Sequence, residues 1–316
     1  MYRNYLPTAL AALLTSLLAL GSAAAEPGGE YLDTVVSLNV HICTTDRHVL
    51  SCLDKFLVRV DKKTGDVERI PWTEAFAQHD GIVVDPGDAG EGDVPPFEKL
   101  APPEPCCYPM CRDPVTGDIW VGMNDAAPIG HGDYAKPGGI LRMGERWTFF
   151  APSGPVGPRT YSFAFDREAV WAWGYYPLVK HEHEGVRRYD RDSGKWTFRR
   201  TDFGYVHGAD ILEASEQYLW FGQSRMDKDT GEWVNFSGET GKENKLCRVS
   251  GMDGGVLWLG YRDGTIVRHP EGTDRWERVK LPVSMTPEGP GSGEEERLRR
   301  SSHATSFAFT DQYVLV

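Results

Sequence analysis

Basic residues are scarce in this chain, which has 34 Lys and Arg against 46 Asp and Glu and a formal charge of −12 over 316 residues. A nucleic-acid binder needs a basic stripe that neutralises phosphates, so the composition argues against that class of partner. The sequence also has no Gly-x-Ser-x-Gly, Walker A, dinucleotide-binding or His-Glu-x-x-His motif. The commonest enzyme classes therefore lack support from sequence motifs.

Long hydrophobic runs are absent except at the N-terminus. An early Arg3 is followed by an apolar run from Leu6 to Leu20 and by small residues that end at Ala25, just before Glu26. This order is typical of a secretory signal peptide, and the run is too short to cross a bilayer comfortably. We expect residues 1–25 to be removed, residues 26–316 to be secreted or periplasmic, and the mature chain to have no membrane span.

The six cysteines are few but even in number, and an exported protein can form disulfides. Cys43 and Cys52 flank a polar turn between two strand-like runs, so a bridge across this hairpin is expected. The cluster around Cys106 could instead suggest zinc, but no paired Cys-x-x-Cys motif accompanies it. The disulfide candidates are Cys43, Cys52, Cys106, Cys107, Cys111 and Cys247.

Tryptophan and glycine are abundant, and most of the ten tryptophans belong to a repeat. An apolar–Trp–apolar–Gly signature occurs at 119–122, 219–222 and 257–260, with a variant at 170–174. A second Trp signature follows each copy, at 146–149, 195–198, 232–236 and 275–279. Between the two lies a strand-like run, which in 185–190 and 56–61 ends in Asp before a Gly turn, a hairpin signal.

The first Trp of the repeat recurs at steps of 51, 49 and 38 residues, which is the length of a four-stranded propeller blade with variable connections. We therefore predict an all-β fold, a β-propeller of six blades, or seven in an intact gene. The expected strand sets are 36–70, 107–151, 160–200, 206–237 and 245–282. A sixth set begins at Ala304 and stops inside its second strand, so the last blade is expected to be incomplete. Two insertions, 71–106 and 282–303, interrupt the pattern.

The segments Leu219–Gly222 (LWFG) and Gly185–Trp196 (GVRRYDRDSGKW) resemble the two-component regulator propeller repeat of periplasmic sensor regions and secreted propellers. The repeat is similar, more loosely, to streptogramin lyase-type propellers. The resemblance covers most of 36–316 and implies a fold rather than an activity. No unit carries the lyase's His and Glu in an unambiguous matching position.

Candidate chemistry lies in the connections between strands. In 180–184, two His with a period of two face the same way if the segment is extended, and they could share a metal with Glu as a further ligand or base. The connection one blade earlier and the entry to the next blade carry similar groups, and equivalent connections emerge on one face of a propeller. The candidate ligand or metal residues are His131, Asp133, His181, Glu182, His183, His207 and Asp210.

The sequence therefore predicts an exported β-propeller that acts as a binding or sensing scaffold for a small molecule, a glycan or a protein. The alternative is a secreted metal-assisted lyase or hydrolase that uses the same histidines and carboxylates. A divalent metal is the candidate cofactor in that second case.

Overall fold

The structure is a computed structural model. It describes residues 42–53, 56–79, 81–85, 105–125, 138–151, 160–174, 185–200, 212–236, 247–261, 265–273, 275–279, 308–309 and 314–315.

These residues form four four-stranded sheets, one five-stranded sheet and one two-stranded sheet. Blade 1 contains β1 (Ile42–Thr44), β2 (His48–Leu53), β3 (Phe56–Asp61) and β4 (Val67–Pro71). Blade 2 contains β5 (Val83–Asp85), β6 (Pro105–Arg112), β7 (Ile119–Asp125), β8 (Gly139–Met143) and β9 (Trp147–Phe150). Blade 3 contains β10 (Ser162–Phe165), β11 (Ala169–Gly174), β12 (Gly185–Asp190) and β13 (Trp196–Arg200). Blade 4 contains β14 (Leu212–Ala214), β15 (Tyr218–Phe221), β16 (Ser224–Asp227) and β17 (Trp233–Asn235). Blade 5 contains β18 (Cys247–Asp253), β19 (Val256–Tyr261), β20 (Ile266–Pro270) and β21 (Glu277–Val279), and β22 (Ala308–Phe309) pairs with β23 (Val314–Leu315).

Each blade is an antiparallel meander in which strands pair in chain order, apart from β5. The first strands of consecutive blades lie next to one another, in the order β1, β6, β10, β14 and β18. Blades that meet along their first strands radiate from a common axis, so this is the predicted all-β propeller arrangement. The five blades follow the predicted strand sets within a few residues. The pair β22–β23 has the same register as the first two strands of blade 3. Phe309 faces Val314, just as Phe165 of β10 faces Val170 of β11.

Buried aromatic side chains fill the space between neighbouring blades. Trp120 of blade 2 packs against Phe163, Tyr189 and Trp196 of blade 3, with ring centroids 5.3–6.2 Å apart. Trp220 of blade 4 shares a cluster with blade 5 residues. These two repeat tryptophans are therefore packing residues between neighbouring blades.

An arginine on the third strand faces the repeat Trp directly across the sheet in four blades. The pairs are Trp120–Arg142, Trp171–Arg188, Trp220–Arg225 and Trp258–Arg268. In each pair the Arg Cζ lies 5.5–5.9 Å from the centroid of the Trp ring. This is the geometry of a cation–π contact, so one repeat position supplies both packing area and an attractive charge–ring interaction.

The segment expected as an insertion after blade 1 contributes structure of its own. It begins with the single helix of the described residues, α1 (Trp72–Ala77), whose Trp72 and Ala75 are buried. It continues into β5, which pairs in parallel with β9, the outer strand of blade 2. The segment thus covers an edge that would otherwise offer unpaired backbone groups to another chain.

The predicted disulfide between Cys43 and Cys52 is wrong. Cys43 faces Leu50 and Cys52 faces Leu57, so the two cysteines lie on a diagonal of the hairpin rather than opposite each other. Diagonal neighbours are further apart than a disulfide normally allows. Cys43, Cys52 and Cys111 carry unbridged thiols, Cys247 is buried, and the side chains of Cys106 and Cys107 lie outside the described residues.

Burial raises the pKa of the Cys43 thiol to about 11 and that of the Cys111 thiol to about 12. Thiols with such values carry almost no thiolate near neutral pH and are poor nucleophiles and metal ligands. These two cysteines therefore act as small apolar residues on the first strands of their blades.

Polar clamps join blade 3 to its neighbours at one end of the ring. Arg191, the residue after the third strand of blade 3, makes a two-pronged ion pair with Asp113, the residue after the first strand of blade 2, and one N–O distance is 2.9 Å. Lys228, at the matching position of blade 4, pairs with Asp166, at the matching position of blade 3. Both interfaces therefore use the same pair of repeat positions.

The next interface uses these positions with different chemistry. Ser215 takes the place of the aspartate in blade 4, and Glu271 takes the place of the cation in blade 5. The Ser215 hydroxyl donates a hydrogen bond to the Glu271 carboxylate. The two positions change together, so each interface keeps a matched donor and acceptor.

We predict that Asp113→Ala lowers the free energy of unfolding by about 3–5 kcal/mol, because it leaves the Arg191 guanidinium without its partner. The Asp113 side chain is fully buried, and that of Arg191 is 12% exposed. Urea unfolding measures the effect. The matched control is Arg47→Ala, which removes an ion pair whose Arg side chain is 77% exposed and should cost no more than about 1 kcal/mol. Equal losses in the two variants would contradict a special role for the clamp.

Candidate functional site

The two ends of the ring differ in the lengths of their connections. In an antiparallel meander, the connections between strands one and two and between strands three and four lie at the same end of the blade. Here they are all short: 45–47, 113–118, 166–168, 215–217, 254–255, 62–66, 144–146, 191–195, 228–232 and 271–276. The clamps of Arg191, Lys228 and Glu271 join residues of these segments across neighbouring blades, so the segments of blades 2 to 5 share one end. We call it the turn end.

Several aspartates of the turn end accept hydrogen bonds from the backbone of their own turns. Asp190 is representative: its Oδ1 accepts from the Ser193 backbone N–H and from the Ser193 hydroxyl, both at 2.8 Å. These bonds and Arg188 hold the pKa of Asp190 well below its usual range. Gly194 closes the turn with φ of 68°, a conformation that favours glycine. Asp61 and Asp227 are bonded in the same way. These carboxylates close turns and are not available to a ligand.

The opposite end receives the longer connections. They are 126–138 and 175–184 between the second and third strands, and 72–104, 151–161, 201–211, 236–246 and 280–307 between blades. We call this the connection end. In blade 2, the second and third strands end here with Met123 facing Gly139. In blade 3, they end with Gly174 facing Gly185.

All seven candidate residues from the sequence fall within these long connections and outside the described residues: His131, Asp133, His181, Glu182, His183, His207 and Asp210. The strands that flank them do end at the connection end, in three consecutive blades. Whether their side chains converge stays a prediction. Within the part of the chain that the structure describes, no group of three His, Cys, Asp or Glu could hold a metal ion.

Arg187 breaks the repeat at the connection end. In the other four blades, the residue immediately before the central arginine of the third strand is Val58, Leu141, Ser224 or Val267, and all of these are buried. Arg187 is itself only 2% exposed. Burial lowers the pKa of its guanidinium to about 10. A charge thus occupies a site that the fold elsewhere fills with an apolar or small side chain.

The guanidinium of Arg187 has weak partners for a buried charge. Nη1 lies 3.4 Å from the carbonyl oxygen of Gly174, a long hydrogen bond, and Cζ lies 5.8 Å from the ring centroid of Phe198. The Nε atom is buried and has no hydrogen-bond partner, and Arg187 makes no ion pair with any described carboxylate. Arg142 also has a buried Nε without a hydrogen-bond partner, but it forms an ion pair with Asp118, so Arg187 combines an unused donor with an unpaired charge.

Glu213 breaks the repeat near the axis. Across the sheet from the repeat Trp, or from Leu50 in blade 1, the first strands of the other blades carry Cys43, Cys111, Ala164 and Gly251, whereas blade 4 carries Glu213. The Ser250 hydroxyl donates to Glu213 Oε1 at 2.6 Å across to blade 5. Burial nevertheless raises the pKa of this carboxyl to about 6. A carboxyl with such a pKa can exchange a proton near neutral pH.

Sequence reasoning missed both residues. The signal for Arg187 was the doubled arginine of the blade 3 strand, where the other third strands have a single arginine after an apolar or small residue. The signal for Glu213 was a lone acid in a short apolar first strand. Either would have appeared on aligning the blades position by position rather than by motif.

Comparisons with known proteins agree on fold only. No protein-family profile and no curated protein matches the sequence. Among solved structures, the chain is similar to the extracellular domain of a putative hybrid two-component system from B. thetaiotaomicron, with 14% identity, a TM-score of 0.47 and coverage of 84% of this chain. It spans only 30% of that protein. It is also similar to YCF48 bound to D1 peptide (11% identity, TM-score 0.44, 75% of this chain and 65% of that one) and to a putative TolB from Agrobacterium tumefaciens (12%, 0.44, 76% and 79%).

Glu213 predicts a specific pH dependence of stability. Its native pKa of about 6 lies above the ordinary value of 4.5, so the protonated carboxyl favours the fold. That stabilisation is complete below about pH 4.5 and is lost as the pH rises through about 6. Relative to Glu213→Gln, the wild type should lose about 2 kcal/mol between pH 4.5 and pH 7. Urea unfolding across this range tests the expectation, and parallel curves for the two proteins would contradict it.

Proposed function

We propose that this chain is an exported β-propeller scaffold that binds a ligand at the connection end. The observation that carries the proposal is the asymmetry of the ring. Several aspartates of the turn end are used in turns and inter-blade clamps, whereas the long connections, which contain the predicted His and carboxylate residues, join strands at the other end, near the buried Arg187. Binding residues on rigid scaffolds concentrate in long connections of this kind.

Export is part of the proposal and rests on the leader expected at residues 1–25. No helix in the described part of the chain is long and apolar enough to span a membrane. The ligand classes that fit a propeller face are a small molecule, a glycan or a protein segment.

We predict that loss of His181 and His183 weakens ligand binding while a change at the turn end does not. The exported protein is applied to an array of neutral and acidic glycans and to a library of short peptides, and the ligands it retains are titrated. The variant His181→Ala with His183→Ala should weaken binding about tenfold or more, equivalent to the loss of one good contact. The matched control is Lys63→Ala in the turn of blade 1, which is exposed. Equal weakening by the turn-end control would overturn the placement of the site.

A native mass spectrum separates a scaffold from a metal-dependent enzyme. For the scaffold we expect the native and denatured masses to agree, with and without a chelator, at the mass of a chain that begins at Glu26. One bound divalent ion that the chelator removes, and that the double His variant lacks, would instead favour the metal-assisted reaction. The same spectrum tests the free thiols, because a disulfide lowers the denatured mass by two hydrogens.

A further inference from the structure

We propose that Arg187 binds an oxyanion, a carboxylate, sulfate or phosphate group of the ligand, between blades 2 and 3 at the connection end. This inference rests on the proposed function and specifies one chemical group of the ligand. It starts from a residue that is 2% exposed and carries a charge at a position where Val58, Leu141 and Val267 are apolar.

The position of Arg187 on the strand directs it toward blade 2. Arg188, next to it, faces Trp171 on the blade 4 side, and neighbouring residues of a strand point to opposite faces. Tyr189 lies two residues further on, shares the face of Arg187, and packs against Trp120 and Phe150 of blade 2. Arg187 therefore lies between the two blades whose connections, 126–138 and 175–184, carry five of the seven predicted site residues and one further acid, Glu184.

The strand register places Arg187 close to the connection end. Gly174 faces Gly185 at the last rung of β11 and β12, and Arg187 is only two residues from it. Its long hydrogen bond to the Gly174 carbonyl keeps the guanidinium at this rung. Gly185 has no room for a side chain at this rung, because a Cβ there would lie 2.5 Å from the Phe198 ring and 2.4 Å from the Arg199 carbonyl oxygen.

The chemistry of the side chain selects the ligand group. A guanidinium offers five N–H donors in a planar fork that matches the two oxygens of a carboxylate or two oxygens of a sulfate or phosphate. In Arg187 the Nε donor is unused and the Nη1 donor is poorly used. The Phe198 ring, 5.8 Å from Cζ, adds a cation–π contact but accepts no hydrogen bond in the plane of the fork. An oxyanion entering from the connection end would satisfy the open donors and neutralise the buried charge.

The other arginines on or just after third strands do not combine near-complete burial with the lack of a carboxylate partner. Arg188, Arg59 and Arg268 each form ion pairs with carboxylates of their own blade. Arg191 is committed to Asp113. Arg187 is thus distinguished among the described arginines of third strands by being both nearly inaccessible and without a carboxylate partner.

The test compares Arg187→Met with the wild type by thermal unfolding in sodium chloride and in sodium sulfate, phosphate or acetate at equal ionic strength. Methionine keeps the apolar volume of the stem and removes the charge. We expect the wild type to gain about 2–4 °C in Tm from at least one oxyanion beyond the gain seen in Arg187→Met. In chloride the variant should be as stable as the wild type or more so, because it no longer buries an unpaired charge. The anion that acts identifies which of the three groups the site prefers.

Two controls sharpen this comparison. Arg268→Met removes an arginine of the same strand in blade 5, whose side chain is 44% exposed and ion-paired, and it should keep the wild-type response to oxyanions. Arg187→Lys keeps the charge but loses the fork, and it should retain only part of the response. Sulfate and phosphate stabilise proteins in general through exclusion from the surface, so only the difference between variants counts.

Two outcomes would overturn the inference. Equal oxyanion gains in the wild type and in Arg187→Met would show that no group binds at this residue. A loss of several degrees in Arg187→Met in chloride would show that a carboxylate of the chain already neutralises the arginine. Ligands retained on the glycan and peptide arrays provide a separate readout: if they bind Arg187→Met normally but not the double His variant, the oxyanion inference fails and the proposed function stands.

Discussion

The contact between the repeat tryptophan of one blade and the face of the next is the interaction on which the rest of this fold depends. Four-stranded sheets that radiate from an axis leave a gap that widens outward, and an apolar filler of the right shape must occupy it. Trp120 and Trp220 fill the gap with rings that touch several aromatic partners of the following blade. The arginine across the sheet then makes a cation–π contact with each ring. Packing and charge are therefore combined in a single cross-strand pair.

The polar clamps complete this arrangement at one end only. Arg191 and Lys228 each reach back to an aspartate of the preceding blade, and in the next interface a serine and a glutamate replace that pair. A buried ion pair is weak evidence for stability in itself, but it sets which surfaces can meet, because a mismatched neighbour would leave a buried charge unpaired. The clamps thus fix blade order and orientation at the turn end, and the other end remains free for variable connections.

Much of the fold could be predicted from the sequence because the repeat is strong at several levels. The Trp spacing, the Asp-to-Gly turns and the alternation of the strands all indicate the same unit, and local signals that agree are the best evidence for a fold. The features that escaped prediction are those that depend on contacts between distant residues. The parallel pairing of β5 with β9 joins an insertion to the next blade's outer edge, and no local pattern encodes it. The Cys43–Cys52 bridge failed for a similar reason, since spacing in a hairpin does not reveal whether two residues are opposite or diagonal.

The predicted site residues and the exceptional residues carry different kinds of information. His181 and His183 attract attention because of their chemistry, yet a polar connection can hold histidines without any function. Arg187 and Glu213 are informative because the repeat itself provides the comparison: the same position in the other blades shows what packing alone requires, which is an apolar or small side chain. A charge at such a position costs stability that a purely structural repeat would not sacrifice. In a fold built from repeats, a position where one blade departs from the others toward a less stable choice is therefore a stronger indication of binding than a motif within a connection.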